Sequence, residues 1–186
     1  MASILKVDNL DPQSGTALEI GSSGDTITVP SGATIVNSGT ATGFGVGKIG
    51  QVLRGESSTS TSISTTTYST ISLSQDITCS ATDSKVLIMG TVMSSKSGTN
   101  TDKGAGYRIR RDTTDVFTTT TLYYTYDSSQ NSSFNDGDST PFFYIDSPSS
   151  TSAITYSIYC ATWNSGTMVF NSDGNQSSIV LMEILA

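Results

Sequence analysis

The 186-residue sequence contains no histidine. That absence excludes a Ser-His-Asp or Cys-His catalytic set and any imidazole-bound zinc or haem. Charge is scarce: Asp, Glu, Lys and Arg make up 13% of the residues, about half the usual share. The balance is acidic, 9 Lys plus Arg against 16 Asp plus Glu, with a formal net charge of −7. Nucleic-acid affinity rests on Lys and Arg neutralising phosphates, so no nucleic-acid partner is expected. Apolar residues reach only 35%. The VLIM run at 86–89 is far short of the ~20 residues of a membrane span. The opening MASILKVDNL has no basic stretch followed by an apolar one, so a secretory signal is not expected.

What fills the gap is hydroxyl and glycine: 33 Ser and 29 Thr, one third of the chain, with 17 Gly. Such a composition can mark a disordered or mucin-like chain. Only 4 prolines, and aromatics spaced from residue 68 onwards, argue for a folded one. Helix formers are thin and β-branched residues abundant, so an all-β fold with almost no helix is expected.

Residues 1–46 read as an N-terminal attachment arm and stem of very short strands at 4–8, 16–20, 26–29 and 34–37. Ser-Gly pairs at 14–15, 23–24, 31–32 and 38–39 punctuate them. Glycine supplies the positive φ of a tight turn, and serine can bond its own backbone there. Each unit offers one or two core-facing residues, so it is stable only by stacking on neighbours or on other chains. Residues 43–50, GFGVGKIG, match the dinucleotide fingerprint formally. That motif needs a following helix to hold the pyrophosphate, and QVLRGESSTSTS cannot form one. A glycine neck or hinge is the reading taken, and no cofactor is expected.

Residues 47–186 alternate like an antiparallel β-domain. Candidate strands are 49–54, 66–73, 85–93, 106–112, 118–126, 142–147, 153–163, 167–171 and 178–185. Eight or nine short strands with turn clusters between them signify a β-sandwich, jelly-roll-like. In 153–163 the period of two is clearest: Ile154, Tyr156, Ile158 and Cys160 form a core face. The opposite face carries Tyr159 and Trp163, which points to a surface covered by something else.

The chain resembles the fibre-type structural proteins of marine tailed bacteriophages. The resemblance is carried, in order, by ILKVDNL with its Ser-Gly turns, GKIGQVL (47–53), SLSQDITCSATDSKVLIMGTV (72–92), YRIRRDTTDV (107–116), YIDSPSSTSAITYSIY (144–159) and SIVLMEILA (178–186). Cys79 departs from the pattern, where the related segment usually carries Pro. The resemblance implies a homotrimeric virion protein, commonly a tail fibre whose distal domain meets the host surface, and not an enzyme. Partners would be other virion proteins, through residues 1–46, and a host surface glycan or outer-membrane component. A capsid-bound head fibre or decoration protein is the alternative within the virion, and a glycan-depolymerising fibre enzyme the alternative of another class.

Candidate sites follow from residue chemistry. Arg108 and Arg110 share a strand face and could grip anionic sugar or phosphate, with Arg111 opposite; pairing with Asp112, Asp115 or a neighbouring chain is the competing reading. Tyr123, Tyr124, Tyr126, Phe134, Phe142, Phe143, Tyr144 and Trp163 are candidates for stacking on sugars, although more than half are expected to be buried. Phe134, in the polar loop SSQNSSFNDGDST, is the one expected to be exposed, with Tyr126 near it. Asn135, Asp136 and Asp138 lack the spacing of a calcium loop and read as a solvated turn. Glutamate occurs only at 19, 56 and 183, which gives little basis for a glycosidase carboxylate pair. Cys79 and Cys160 are expected as free buried thiols in a reducing compartment. The long polar connections 94–105 and 127–140 are expected at one end of the domain and 75–84 at the other, the shared end being distal and adhesive.

Overall fold

The computed structural model describes residues 16–18, 20–34, 36, 48–96, 103–122, 125–127 and 136–185. The chain divides into two compact units, Met1–Phe44 and Gly45–Ala186. In the first, two of the expected Ser-Gly turns are present. Asp25 N–H donates to the Ser22 carbonyl at 3.0 Å, and Ala33 N–H to the Pro30 carbonyl at 3.1 Å. Gly24 and Gly32, third in each turn, sit at φ +96° and +84°, the type II requirement that a side chain would oppose. The expected strands 16–20, 26–29 and 34–37 are not strands among the described residues. Segments this short between turns find no ladder partner within one chain, and strand 4–8 lies outside the described residues. Leu18, Ile20, Ile27, Val29 and Val36 are all exposed.

The second unit is a two-sheet antiparallel sandwich. Among the described residues, eleven strands run in chain order: β1 (Ile49–Ser57), β2 (Thr61–Ile63), β3 (Ser69–Thr78), β4 (Lys85–Lys96), β5 (Lys103–Arg111), β6 (Thr114–Thr118), β7 (Thr125–Asp127), β8 (Asp136–Asp146), β9 (Ala153–Thr162), β10 (Met168–Phe170) and β11 (Ser177–Ile184). A strand, not a helix, follows the glycine-rich segment, whose residues 43–47 lie outside the described ones. The short pairs β1/β2, β6/β7 and β10/β11 each continue one column of a sheet. Counted as columns, the first sheet has the order β1/β2, β10/β11, β4, β8, and the second β3, β9, β5, β6/β7. In chain order these are columns 1-8-3-6 and 2-7-4-5, the winding of a jelly roll.

The core lies between the sheets and takes one residue in two from each strand. Val86, Ile88 and Val92 of β4, Ile179 and Leu181 of β11, and Ile154, Tyr156, Ile158 and Cys160 of β9 are all buried. Gly90 continues the inward row of β4. A Cβ there would meet the Phe142 ring at 2.7 Å and the Ser178 carbonyl, so glycine admits the ring. Cys79 and Cys160 are free and buried. Burial pushes both thiols up, with Glu183 and Asp146 adding to it at Cys79, so neither is a ready nucleophile.

Several expected strands shift. The segment 118–126 is not one strand, because β6 ends at Thr118. The Thr119 hydroxyl then accepts from Tyr107 N–H at 3.0 Å and donates to the Thr121 carbonyl at 3.0 Å, a side-chain bond that competes with the ladder. Asp136 and Asp138 open β8 rather than occupying a turn.

Three buried polar groups lock the columns together. Asn171, at φ +56° between β10 and β11, accepts from Ser177 Oγ at 2.5 Å and donates to the Thr59 carbonyl at 3.2 Å. It thereby ties the break in the β10/β11 column to the break in the β1/β2 column. Asp146 accepts from Arg111 Nη1 at 2.8 Å and Tyr156 Oη at 2.7 Å. Arg111 therefore lies opposite Arg108 and Arg110, as expected, but it faces inward and pairs with Asp146 and not Asp112. Glu183 is 1% exposed and accepts from Ser80 N–H at 2.6 Å, Ser80 Oγ at 2.7 Å, Ser84 Oγ at 2.9 Å and Gln51 Nε2 at 2.8 Å.

Burial alone would push the Glu183 carboxyl up, but the donors from Ser80, Gln51 and Ser84 outweigh it and hold the pKa down to about 2. A depressed carboxyl stabilises the fold above its unfolded pKa, and that contribution is lost as pH falls through the folded one. The window is therefore from about pH 4.5 to about pH 2. The stability at stake is on the order of 3 kcal/mol. Denaturant unfolding at pH 7 and across that window is expected to show this loss. Glu183→Gln should be less stable at pH 7 by about 2–3 kcal/mol and show a flatter acid dependence.

Candidate functional site

The outer face of the second sheet carries the arginines. Alternation in β5 turns Arg108 and Arg110 out together, while Tyr107, Ile109 and Arg111 turn in. A tight turn at Asp112–Thr113 folds β6 back, placing Asp115 opposite Arg110 in the ladder. One carboxylate then holds both guanidiniums: Arg108 Nη1 lies 2.8 Å from Asp115 Oδ2, and Arg110 Nε 3.1 Å from Asp115 Oδ1. Each guanidinium also covers a tyrosine. Arg108 stacks 4.0 Å from the centre of the Tyr68 ring, and Arg110 4.9 Å from that of Tyr159, within cation–π range. The surface expected to be covered by something else is thus partly covered by the chain's own Arg110. Ala161 is buried on the same side. Next to it, a Cβ on Gly106 would meet the Thr121 carbonyl at 2.8 Å and the Tyr68 hydroxyl at 2.9 Å.

A second feature is a cleft of about 260 Å³ where the two sheets part along the β6 and β8 edges. Phe117 and Phe142 form apolar walls, and Tyr107, Thr119 and Thr140 supply hydroxyls. Its floor is the bond between Tyr107 Oη and Thr140 Oγ1, 3.2 Å, which crosses from one sheet to the other. Beside it, the Phe117 and Tyr144 rings meet at 5.8 Å between centroids, tilted by 43°. Pro141 also lines the cleft, on β8, which among the described residues pairs only with β4. Proline is accepted there because an edge strand can spare its N–H. Aromatic walls with a few hydroxyls suit one sugar-sized ring.

The ends of the sandwich differ. Register places Lys96 beside Asp136, and Lys103 beside Asp127. Both long connections therefore leave from one end, together with the turns at 64–68 and 163–167. The turns at 79–84 and 147–152 lie at the other end. There Lys48 receives the Leu185 N–H at 2.8 Å, so the chain joins the sandwich at the end away from the long connections.

Of the residues singled out from sequence, Arg108 and Arg110 share a face as expected and are held by Asp115, one of the pairings weighed against a ligand role. Tyr126 is in β7, opposite Gly104; its side chain, and Phe134, Tyr123 and Tyr124, lie outside the described residues. Burial of most of the aromatic group is not seen among its described members. Phe142 and Tyr144 are half-buried, Trp163 is 38% exposed and Phe143 81% exposed. The buried rings are instead Tyr107, Tyr156 and Phe170. Sequence reasoning passed over Phe117, Thr119, Thr140 and Tyr68. The Asp-Thr turn at 112–113 was a usable signal for Asp115 opposite Arg110, but no local pattern relates β6 to β8. The chain matches no protein-family model, and no curated protein is similar to it at a significant level.

Releasing the arginines separates their two readings. Asp115→Ala should cost less than about 1 kcal/mol, because the pair is partly exposed and screened. It should also increase retention on an immobilised sulfated or carboxylated polysaccharide. Unchanged retention would leave the arginines with a purely structural role.

Proposed function

We propose that this chain is a homotrimeric virion structural protein, a tail fibre of the kind found in marine tailed bacteriophages, with residues 1–46 attaching it and the sandwich adhering to the host surface. One observation carries the reading. The chain joins the sandwich at Lys48, at one end, and the strands that flank the two longest polar connections end at the opposite one. Chain entry at one end of the sandwich, with Ser- and Asn-rich connections between strands that finish at the other, suits a protein fixed to a particle and presenting a contact surface outward. The turn-punctuated N-terminal segment, with its apolar side chains in water, supports association of chains, because it cannot bury them alone.

On this reading the mechanism is adhesion. Three identical sandwiches offer three weak sites, and linkage multiplies modest affinities through effective concentration. The recognised chemistry is a host surface glycan or outer-membrane component. Hydroxyl-rich loops supply adaptable hydrogen bonds, and the rings of Tyr126 and Phe134 supply flat apolar anchors.

Native mass measurement should give about three times 19.5 kDa; a stable folded monomer would overturn the reading. Deleting residues 1–46 should leave a folded sandwich that no longer joins particles. Phe134→Ala combined with a shortened 128–135 segment should reduce binding to host cells at least tenfold without changing the assembly mass. Unchanged binding would give the sandwich a structural role only.

A further inference from the structure

Most inward residues of the sandwich, such as Ile88, Val92 and Ile109, are sealed from water. Phe117 pairs opposite the inward Ile109, and Phe142 opposite Gly90 in the inward row of β4. Both rings therefore face inward, yet both are only half-buried. The cleft of about 260 Å³ takes up the space beside them. Its walls are fixed by specific contacts. The Phe142 ring rests where a Cβ on Gly90 would stand 2.7 Å from it, and the Phe117 ring packs on Tyr144. The floor hydroxyls of Tyr107 and Thr140 are buried and bonded to each other across the sheets. The Thr119 hydroxyl is held between Tyr107 N–H and the Thr121 carbonyl. Such a cleft is in place before any ligand arrives, which lowers the entropic cost of binding.

We propose that this cleft is a binding site for one neutral sugar ring, the terminal residue of a glycan. A pyranose has two C–H faces and a rim of hydroxyls. The faces match the rings of Phe117 and Phe142, and the rim matches the hydroxyl floor. No charged side chain lines the cleft among the described residues, so the carboxylate of an acidic sugar would lose water without gaining a partner. Thr119 gives its hydrogen to the Thr121 carbonyl and meets a ligand only as an acceptor. A sugar hydroxyl can donate there. A hydrocarbon ring would cover the hydroxyls without bonding them, which costs affinity. The volume lies just below the ~300–1,000 Å³ of sites for drug-sized ligands, which limits the occupant to a single ring.

The site goes beyond the loop contact assigned above to Tyr126 and Phe134, since neither residue is among those that line it. It is built within one chain, so it stands whether or not chains associate. A ring of about 12 non-hydrogen atoms is expected to bind with a Kd of roughly 1 mM or weaker.

The test uses the full chain and a panel of neutral methyl hexopyranosides, with methyl glucuronide and cyclohexanol for comparison. A heteronuclear NMR titration to about 50 mM should shift the signals of Phe117, Thr119, Thr140 and Phe142 with at least one hexoside. Phe117→Leu removes one apolar wall, and Thr140→Val removes a floor hydroxyl at nearly constant shape. Each should weaken binding at least fivefold. Ser74→Ala, on the outer face of the second sheet, should leave it unchanged. The wild-type shift map decides the matter if either cleft variant fails to fold. No shift with any neutral hexoside, or shifts only at residues outside the cleft, would overturn the proposal. So would glucuronide or cyclohexanol binding as tightly as the best hexoside, or undiminished binding by both cleft variants. A monomeric chain that bound the hexoside at these residues would overturn the trimer and support this site.

Discussion

The sandwich depends on β4 being paired along both edges. Along one side it pairs with β8 from Val86 to Lys96, and along the other with β11 and then β10. A strand so enclosed cannot slip by one residue without moving Val86, Ile88 and Val92 from the core into the outer layer. The register of the whole first sheet follows from that. So does the alignment of its outer rows, because the residues that alternate with the core set are held in step across four columns. The exposure of Phe143 and Ile145 is therefore a consequence of the same pairing that builds the core.

A chain so short of apolar residues completes its fold with buried polar groups whose partners come from distant parts of the sequence. Glu183 gathers donors from Gln51, Ser80 and Ser84 and joins the β3–β4 turn to the first and last columns. Asp146 joins β8 to β5 and β9 across the layers. Asn171 bridges two breaks that lie side by side. Each is costly to leave half-satisfied, so each selects one arrangement of the strands over slipped alternatives. The abundant Ser and Thr have two uses here. Some supply these donors, and others, such as Thr119, end a ladder by bonding the backbone themselves.

The outer faces then divide the surface by chemistry. The second sheet shows arginine, aspartate and hydroxyl, with its guanidiniums already held by Asp115 and laid on tyrosine rings. The first shows Phe143, Ile145 and Val52 to solvent, with the Arg54–Glu56 pair beside them on β1. The cleft between β6 and β8 opens where the two kinds of surface meet, and the strands that flank the long polar connections end away from Lys48.

Period-two alternation in residues 153–163 determined the core face of β9 from the sequence alone, and the missing helix signals determined the all-β class. The type II turns at 22–25 and 30–33 were legible because only glycine takes the third position cheaply. The shared face of Arg108 and Arg110 was legible for the same reason as the β9 core: a strand alternates. What the sequence could not decide was which strands become neighbours. Columns 1-8-3-6 and 2-7-4-5 depend on long-range pairing, and nothing local distinguishes one β-branched segment from another as a partner. The end of β6 at Thr118, the placing of Phe117 against Phe142 and Tyr144, and the four donors on Glu183 are decided only by that pairing. Side chains more than 100 residues apart meet there, where the burial of many weak rows chooses a single register.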